Sequence, residues 1–117
     1  MATLTPSQRR QLLDPPTAAL IAFHLNRGSS EHYHTLATAM MLAHEIVATT
    51  QRHQHLAPLT LAACDAMNAI FNRGNWQATD DEKTAIDNGR TVYKAVIEAT
   101  TAKKVKKCLN AVYRVIK

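Results

Sequence analysis

The sequence predicts an all-α protein: a compact single-domain bundle of five or six helices around a central helix at about residues 30–52. Three observations point there. Apolar residues recur at helical spacing, whereas strict apolar–polar alternation never persists beyond about three or four positions. Helix starts and stops are written into the chain as Thr-Pro, Asn-Arg-Gly and a Thr-x-x-Glu box. Hydrophobic residues make up 46% of the chain but aromatic ones only 5%. A core of small and unbranched side chains suits closely spaced helices better than a β-sandwich.

Thr5 caps the first helix, with Pro6 in its first turn, where a missing N–H costs nothing. That helix, residues 7–13, is expected to stop at Asp14, because Pro15 and Pro16 disfavour helix before them. Pro16 or Thr17 opens a second helix that runs to Arg27 and closes on Gly28 as a left-handed cap. Ser29 or Ser30 then caps the central helix, and Glu31 suits the positive end of its dipole. Along it Tyr33, Leu36, Ala37, Met40, Met41, Ala43, Val47 and Ala48 fill one broad arc, and Leu42 and Ile46 fall outside that arc. Only a polar strip remains, formed by His34, Thr35, Thr38, Glu45, Thr49 and Arg52. A helix apolar around most of its circumference belongs in the middle of a bundle. It could also meet a second subunit through Tyr33, Met40 and Met41, which leaves room for a homodimer.

The central helix frays into Gln51, Arg52, His53, Gln54 and His55, a polar exit ended by Pro58. A further helix over residues 59–73 stops at Gly74, and residues 75–78 form a loop containing Trp76, the lone tryptophan. Thr79 and Glu82 make a capping box, with Asp80 and Asp81 at the positive end of the dipole. The helix they open runs to about Thr100 and places Ile86, Gly89, Tyr93, Val96 and Ile97 on one face. Gly89 in its interior costs about 1 kcal/mol against Ala, and marks a close helix–helix approach. Thr100 and Thr101 break the chain before an amphipathic last helix over residues 101–117. Asn26-Arg27-Gly28 and Asn72-Arg73-Gly74 each end one helix and precede a longer one. They record either two helical hairpins or two caps that converged on the same residues.

The net charge of +5 is unevenly placed. Lys103, Lys104, Lys106, Lys107, Arg114 and Lys117 gather in the last helix with no acid among them, while residues 1–100 are close to balance. Together with Asn110 they occupy one half of that helix, and Val105, Cys108, Leu109, Val112, Val115 and Ile116 occupy the other. The apolar half is expected to dock on the bundle. The basic half can solvate the surface, meet an acidic protein or track phosphates. Only Tyr113 lies near it and lysine outnumbers arginine, so any nucleic-acid contact is expected at the backbone, with little sequence preference. Trp76 is read either as a lid on the core or as an exposed anchor for a partner.

Constellations for catalysis are not evident. Glu31, Glu45, Asp65, Asp87 and Glu98 form no carboxylate pair at helical spacing, and three glycines barely furnish one phosphate loop. His32 and His34 point apart on a helix, and His44-Glu45 lacks the second histidine of a zinc-protease helix. His44 reads as a hydrogen-bonded core histidine, while His53 and His55 could chelate from a loop. Cys64 and Cys108 read as free thiols on apolar faces. No enzyme activity, cofactor or metal is expected. No run approaches the roughly 18–20 apolar residues of a membrane span, and the first ten residues lack the apolar core of a signal peptide, so a cytoplasmic location is expected.

The segments LTPSQRRQLLDPP, GSSEHYHTLATAMMLAHEI and RGNWQATDDEKTAI resemble a group of small all-helical proteins from proteobacterial plasmids and prophages. The resemblance covers about residues 3–95 and rests on caps and core positions, so it carries over no catalytic or binding residue. The basic segment after Thr100 lies outside it. It implies a mobile-element context, in which small helical proteins bind and block host machinery, as some anti-CRISPR proteins do. The expected function is therefore a non-enzymatic protein-interaction module, an inhibitor of host defence. The alternative is a nucleic-acid-binding accessory protein that uses the basic last helix.

Overall fold

The helix signals yield five α-helices and one 3₁₀ segment in the computed structural model, which describes residues 2–116. In chain order these are α1 Pro6–His24, α2 Ser30–Ala48, the 3₁₀ segment Gln51–Leu56, α3 Ala57–Arg73, α4 Asp80–Ala99 and α5 Ala102–Ile116. Among the described residues no strand forms; one isolated antiparallel bridge pairs Thr3 with Thr101. That bridge, with the Ala102 N–H donating to the Ala2 carbonyl, ties the start of the chain to the α4–α5 junction.

Helix α2 is the centre of the bundle and packs against α1, α3, α4 and α5. Leu36, Met40, Ala43, Ile46 and Val47 have no exposed surface, and Leu42 is buried as well. Leu42 and Ile46, off the main arc, are buried because neighbours cover α2 on several sides. Each large aliphatic side chain removed from water in this way contributes about 1.5–3 kcal/mol. Helix α4 completes the core with Ile86, Val92, Tyr93, Val96 and Ile97. It approaches α3 so closely that a Cβ on Gly89 would collide with the Ala63 Cβ and lie 2.7 Å from Met40 Sδ.

The expected stop at Asp14 does not occur. One helix runs from Pro6 to His24 straight through Pro15 and Pro16. Interior prolines lack the N–H that would bond the carbonyl four residues back, here those of Gln11 and Leu12. Helix α4 supplies a replacement: the Tyr93 hydroxyl donates to the Leu12 carbonyl at 2.7 Å. Beside it Arg90 donates to the Thr17 hydroxyl at 3.2 Å, and that hydroxyl donates to the Leu13 carbonyl at 2.8 Å. Burial, reinforced by the nearby Tyr113, pushes the Tyr93 phenol up, so it remains a donor at neutral pH.

Two further boundaries differ from expectation. The left-handed residue after α1 is Asn26, at φ 56°, rather than Gly28. Gly28 serves a different need, since a Cβ there would come within 2.5 Å of the Phe23 ring and 2.9 Å of the Trp76 carbonyl oxygen. Helix α2 ends at Ala48 rather than near Arg52. The Thr49 hydroxyl donates to the Glu45 carbonyl at 2.7 Å and the Thr49 carbonyl accepts from Lys104 Nζ at 2.6 Å, which closes that end. The capping boxes at Thr5 and Thr79 and the left-handed cap at Gly74 form as expected or better: Gln8 completes the first box, a pairing unread in the sequence.

Candidate functional site

Helix α5 carries the residues singled out from the sequence. Thr101 opens it by accepting the Lys104 N–H at 3.3 Å. Val105, Cys108 and Val112 are buried against the bundle, and the neighbour they meet most is α2. Val115, expected on the docked half, is 74% exposed. The bundle meets α5 chiefly through α2, and neither α1 nor α3 packs appreciably on it.

The basic residues divide into two roles. Lys103, Lys106, Lys107 and Arg114 are exposed, with Asn110 among them. Lys104 is half-buried and its ammonium holds the Thr49 carbonyl at the negative end of the α2 dipole, so it braces the fold. Among the described residues the carboxylates in contact with a basic side chain are Asp87, beside His24, and Glu82, paired with Arg73, and neither contact involves α5. Lys117 lies outside the described residues.

Trp76 sits elsewhere, in the α3–α4 turn at φ 57°. Its ring is half-buried, 5.4 Å from the Tyr33 ring and 6.3 Å from the Phe71 ring. It thus covers the end of the core, while Phe71 beside it is 53% exposed. Tyr33, on which Trp76 packs, and the lysines border adjoining clefts. A cleft of about 410 Å³ runs between α3 and α5 over α2, lined by Tyr33, Ala37, Met41, Cys64, Ala111 and Val115 among others. It shares Glu45 and Ala111 with a second cleft of about 390 Å³ that is bordered by Lys103, Lys104 and Lys107. The two form one trough, basic at one end and aromatic at the other. Sequence reasoning missed Met41 and Cys64 as part of its lining; the only available signal was that residues 64, 67 and 68 share a face of α3.

Three of the histidines are engaged in the fold. His44 Nδ1 is 2.8 Å from the buried Thr60 hydroxyl, and His24 Nε2 is 2.7 Å from Asp87 Oδ1. The Asp87 partner was not anticipated, because the two lie 63 residues apart. His32 Nδ1 meets the Ser29 hydroxyl at 3.1 Å. His53, in the 3₁₀ segment rather than a loop, buries Nε2 without a protein partner; burial first, then Arg52, His55 and Lys104, holds its pKa below the usual value. Both cysteines are free, and burial together with Asp65 pushes the Cys64 thiol up to about 11. A thiol that stays protonated at neutral pH is a weak nucleophile. Among the described residues no three His, Cys, Asp or Glu side chains converge as a metal site, and no helix is long and apolar enough to cross a membrane.

Compared with known proteins, the chain matches no family model, no curated protein and no solved structure.

Proposed function

We propose that this protein is a non-enzymatic interaction module that binds an acidic surface of a partner protein through the outward face of α5. One observation carries the reading. Lys103, Lys106, Lys107 and Arg114 stand exposed on a helix without a single carboxylate, whereas Lys104, on the same helix, is spent on holding α2. Four exposed cations with no carboxylate on the same helix make a surface of one sign, which an acidic partner would complement. The resemblance to mobile-element proteins supports a finer reading, in which the partner belongs to a host defence complex and binding blocks it, in the manner of an anti-CRISPR protein.

The test is affinity capture from a proteobacterial host lysate with two baits, the native chain and a Lys103→Glu, Lys106→Glu, Lys107→Glu, Arg114→Glu variant. Lys104 is left in place because it is structural. A defined acidic partner recovered by the native chain and lost with the variant is the expected result; recovery of nothing above background sinks the reading.

The second reading is nucleic acid. Lys103, Lys107, Asn110 and Arg114 share one line of the helix and span about 16 Å, a reach over several phosphates. A gel shift on duplex DNA that weakens steeply with salt and vanishes in the same variant would favour it. No shift at low salt removes it.

A further inference from the structure

We infer that the trough between α3 and α5 receives an amphipathic helix of the partner, apolar along one face and acidic at one end. This rests on the interaction-module reading and names what that module grips.

The trough exists because α3 and α5 both pack on α2 but neither is packed appreciably on the other. The floor is α2, through Tyr33, Ala37, Met41 and His44. One wall is α3, through Cys64, Met67 and Asn68; the other is α5, through Ala111, Val112 and Val115, the last 74% exposed. Half-buried Tyr33, Ala37 and Met41 and exposed Val115 thus offer apolar surface along one concave line, which is the arrangement that marks a docking groove. Met41, half-buried in the floor, suits this use, since an unbranched thioether repacks around varied apolar partners. From Lys103 to Val115 the α5 wall rises about 18 Å, room for about three turns of a docked helix.

Charge selects the occupant. Lys103 and Lys107 flank the trough at the α5 start, and among the described residues Glu45 is the one carboxylate lining it. An apolar helix whose terminal turn carries Asp or Glu would place those acids beyond Glu45, against the two lysines. A second copy of this chain offers the wrong sign: the apolar face of its α5 is already docked on α2, and the lysines that helix exposes would meet lysines.

The probe is a fluorescein-labelled peptide of about 18 residues, Leu at helical spacing on one face and Glu in the last turn. Two controls carry Lys in place of Glu, or the same residues in scrambled order. The native chain is expected to bind the probe with amide shifts at Ala37, Met41, Cys64 and Ala111, and to bind both controls about tenfold more weakly or worse. Ala111→Trp fills the trough and should weaken the probe by about tenfold or more. Val115→Asp, at an exposed position that does not endanger folding, should weaken it as well. Equal binding of the scrambled peptide, or no effect of either variant, overturns the trough proposal while leaving an acidic-surface module standing. Failure of the probe and of polyglutamate alike at low salt removes both. Shifts of the same amides with protein concentration alone would assign the trough to a second copy, and so overturn it.

Discussion

The two Asn-Arg-Gly triplets turn the chain in different ways although their residues are the same. After α3, Arg73 is still helical, Gly74 takes the left-handed conformation at φ 77°, and a Cβ there would meet nothing within 4 Å. After α1 the helix stops two residues before the triplet, Asn26 takes the left-handed conformation, and Gly28 is kept free of a side chain by Phe23 and the Trp76 carbonyl. The arginines differ too. Arg73 donates to Glu82 Oε2 at 2.8 Å and to the Gln77 carbonyl at 2.8 Å, joining α3 to the start of α4. Arg27 makes no such bridge; its neighbour Asn26 accepts from Lys83 instead, at 3.3 Å. The triplet is therefore a set of residues tolerant of a turn, and the surroundings choose which one makes it. The two segments are not structural repeats.

Substitutions should separate the two glycines most. Gly28→Ala is expected to cost about 1–3 kcal/mol by overpacking, read from chemical denaturation, with part of the loss recovered in a Phe23→Leu background. Gly74→Ala meets only backbone strain and should cost about 1–2 kcal/mol, with no recovery in that background. If Gly28→Ala proves no worse than Gly74→Ala, the steric account of the first turn is wrong. The asparagines give a smaller contrast in the opposite sense. Asn26→Ala puts alanine in the left-handed region and should lose about 1 kcal/mol, whereas Asn72→Ala, in the last turn of α3, should stay within about 0.5 kcal/mol of the native chain.

Acid should show the smallest effect and set the turn end of the bundle against the other end. His53 has a depressed pKa in the folded state, so its stabilising contribution is fully present above the ordinary histidine value of about 6.5 and is lost as pH falls through the lower folded value. The Arg73 hydrogen bond, followed by the Thr79 backbone, holds the Glu82 carboxyl below its ordinary value. That contribution is present above about pH 4.3 and is lost only as pH falls through the folded value. Melting temperature against pH should thus decline in two stages, the first flattened by His53→Asn and the second by Glu82→Gln. A single decline untouched by His53→Asn would show that the 3₁₀ segment does not titrate as described.

Acidic and basic residues at the candidate site were legible to different degrees. The basic line on α5 was visible in the sequence, because a 3.6-residue period and the lack of acids can be counted. That Lys104 is structural was not visible, since its acceptor at Thr49 lies 55 residues away. The trough was equally hidden: its walls come from three helices, and the sequence holds no record of how far apart α3 and α5 stand.

By itself the sequence determined the fold class, the caps at Thr5, Thr79 and Gly74, the central place of α2 and the close approach at Gly89. Each of these depends on bonds within a turn, or on how much of a helix must be hidden from water. Only the tertiary structure decided that α1 continues through Pro15 and Pro16, that Asn26 rather than Gly28 turns left-handed, and that Val115 stays in solvent. In the first case a group distant in the chain sets the outcome, and in the others the presence or absence of packed neighbours does. The Tyr93 hydroxyl reaches the Leu12 carbonyl across 81 residues, and such a bond outweighs a local preference that pattern alone would have followed.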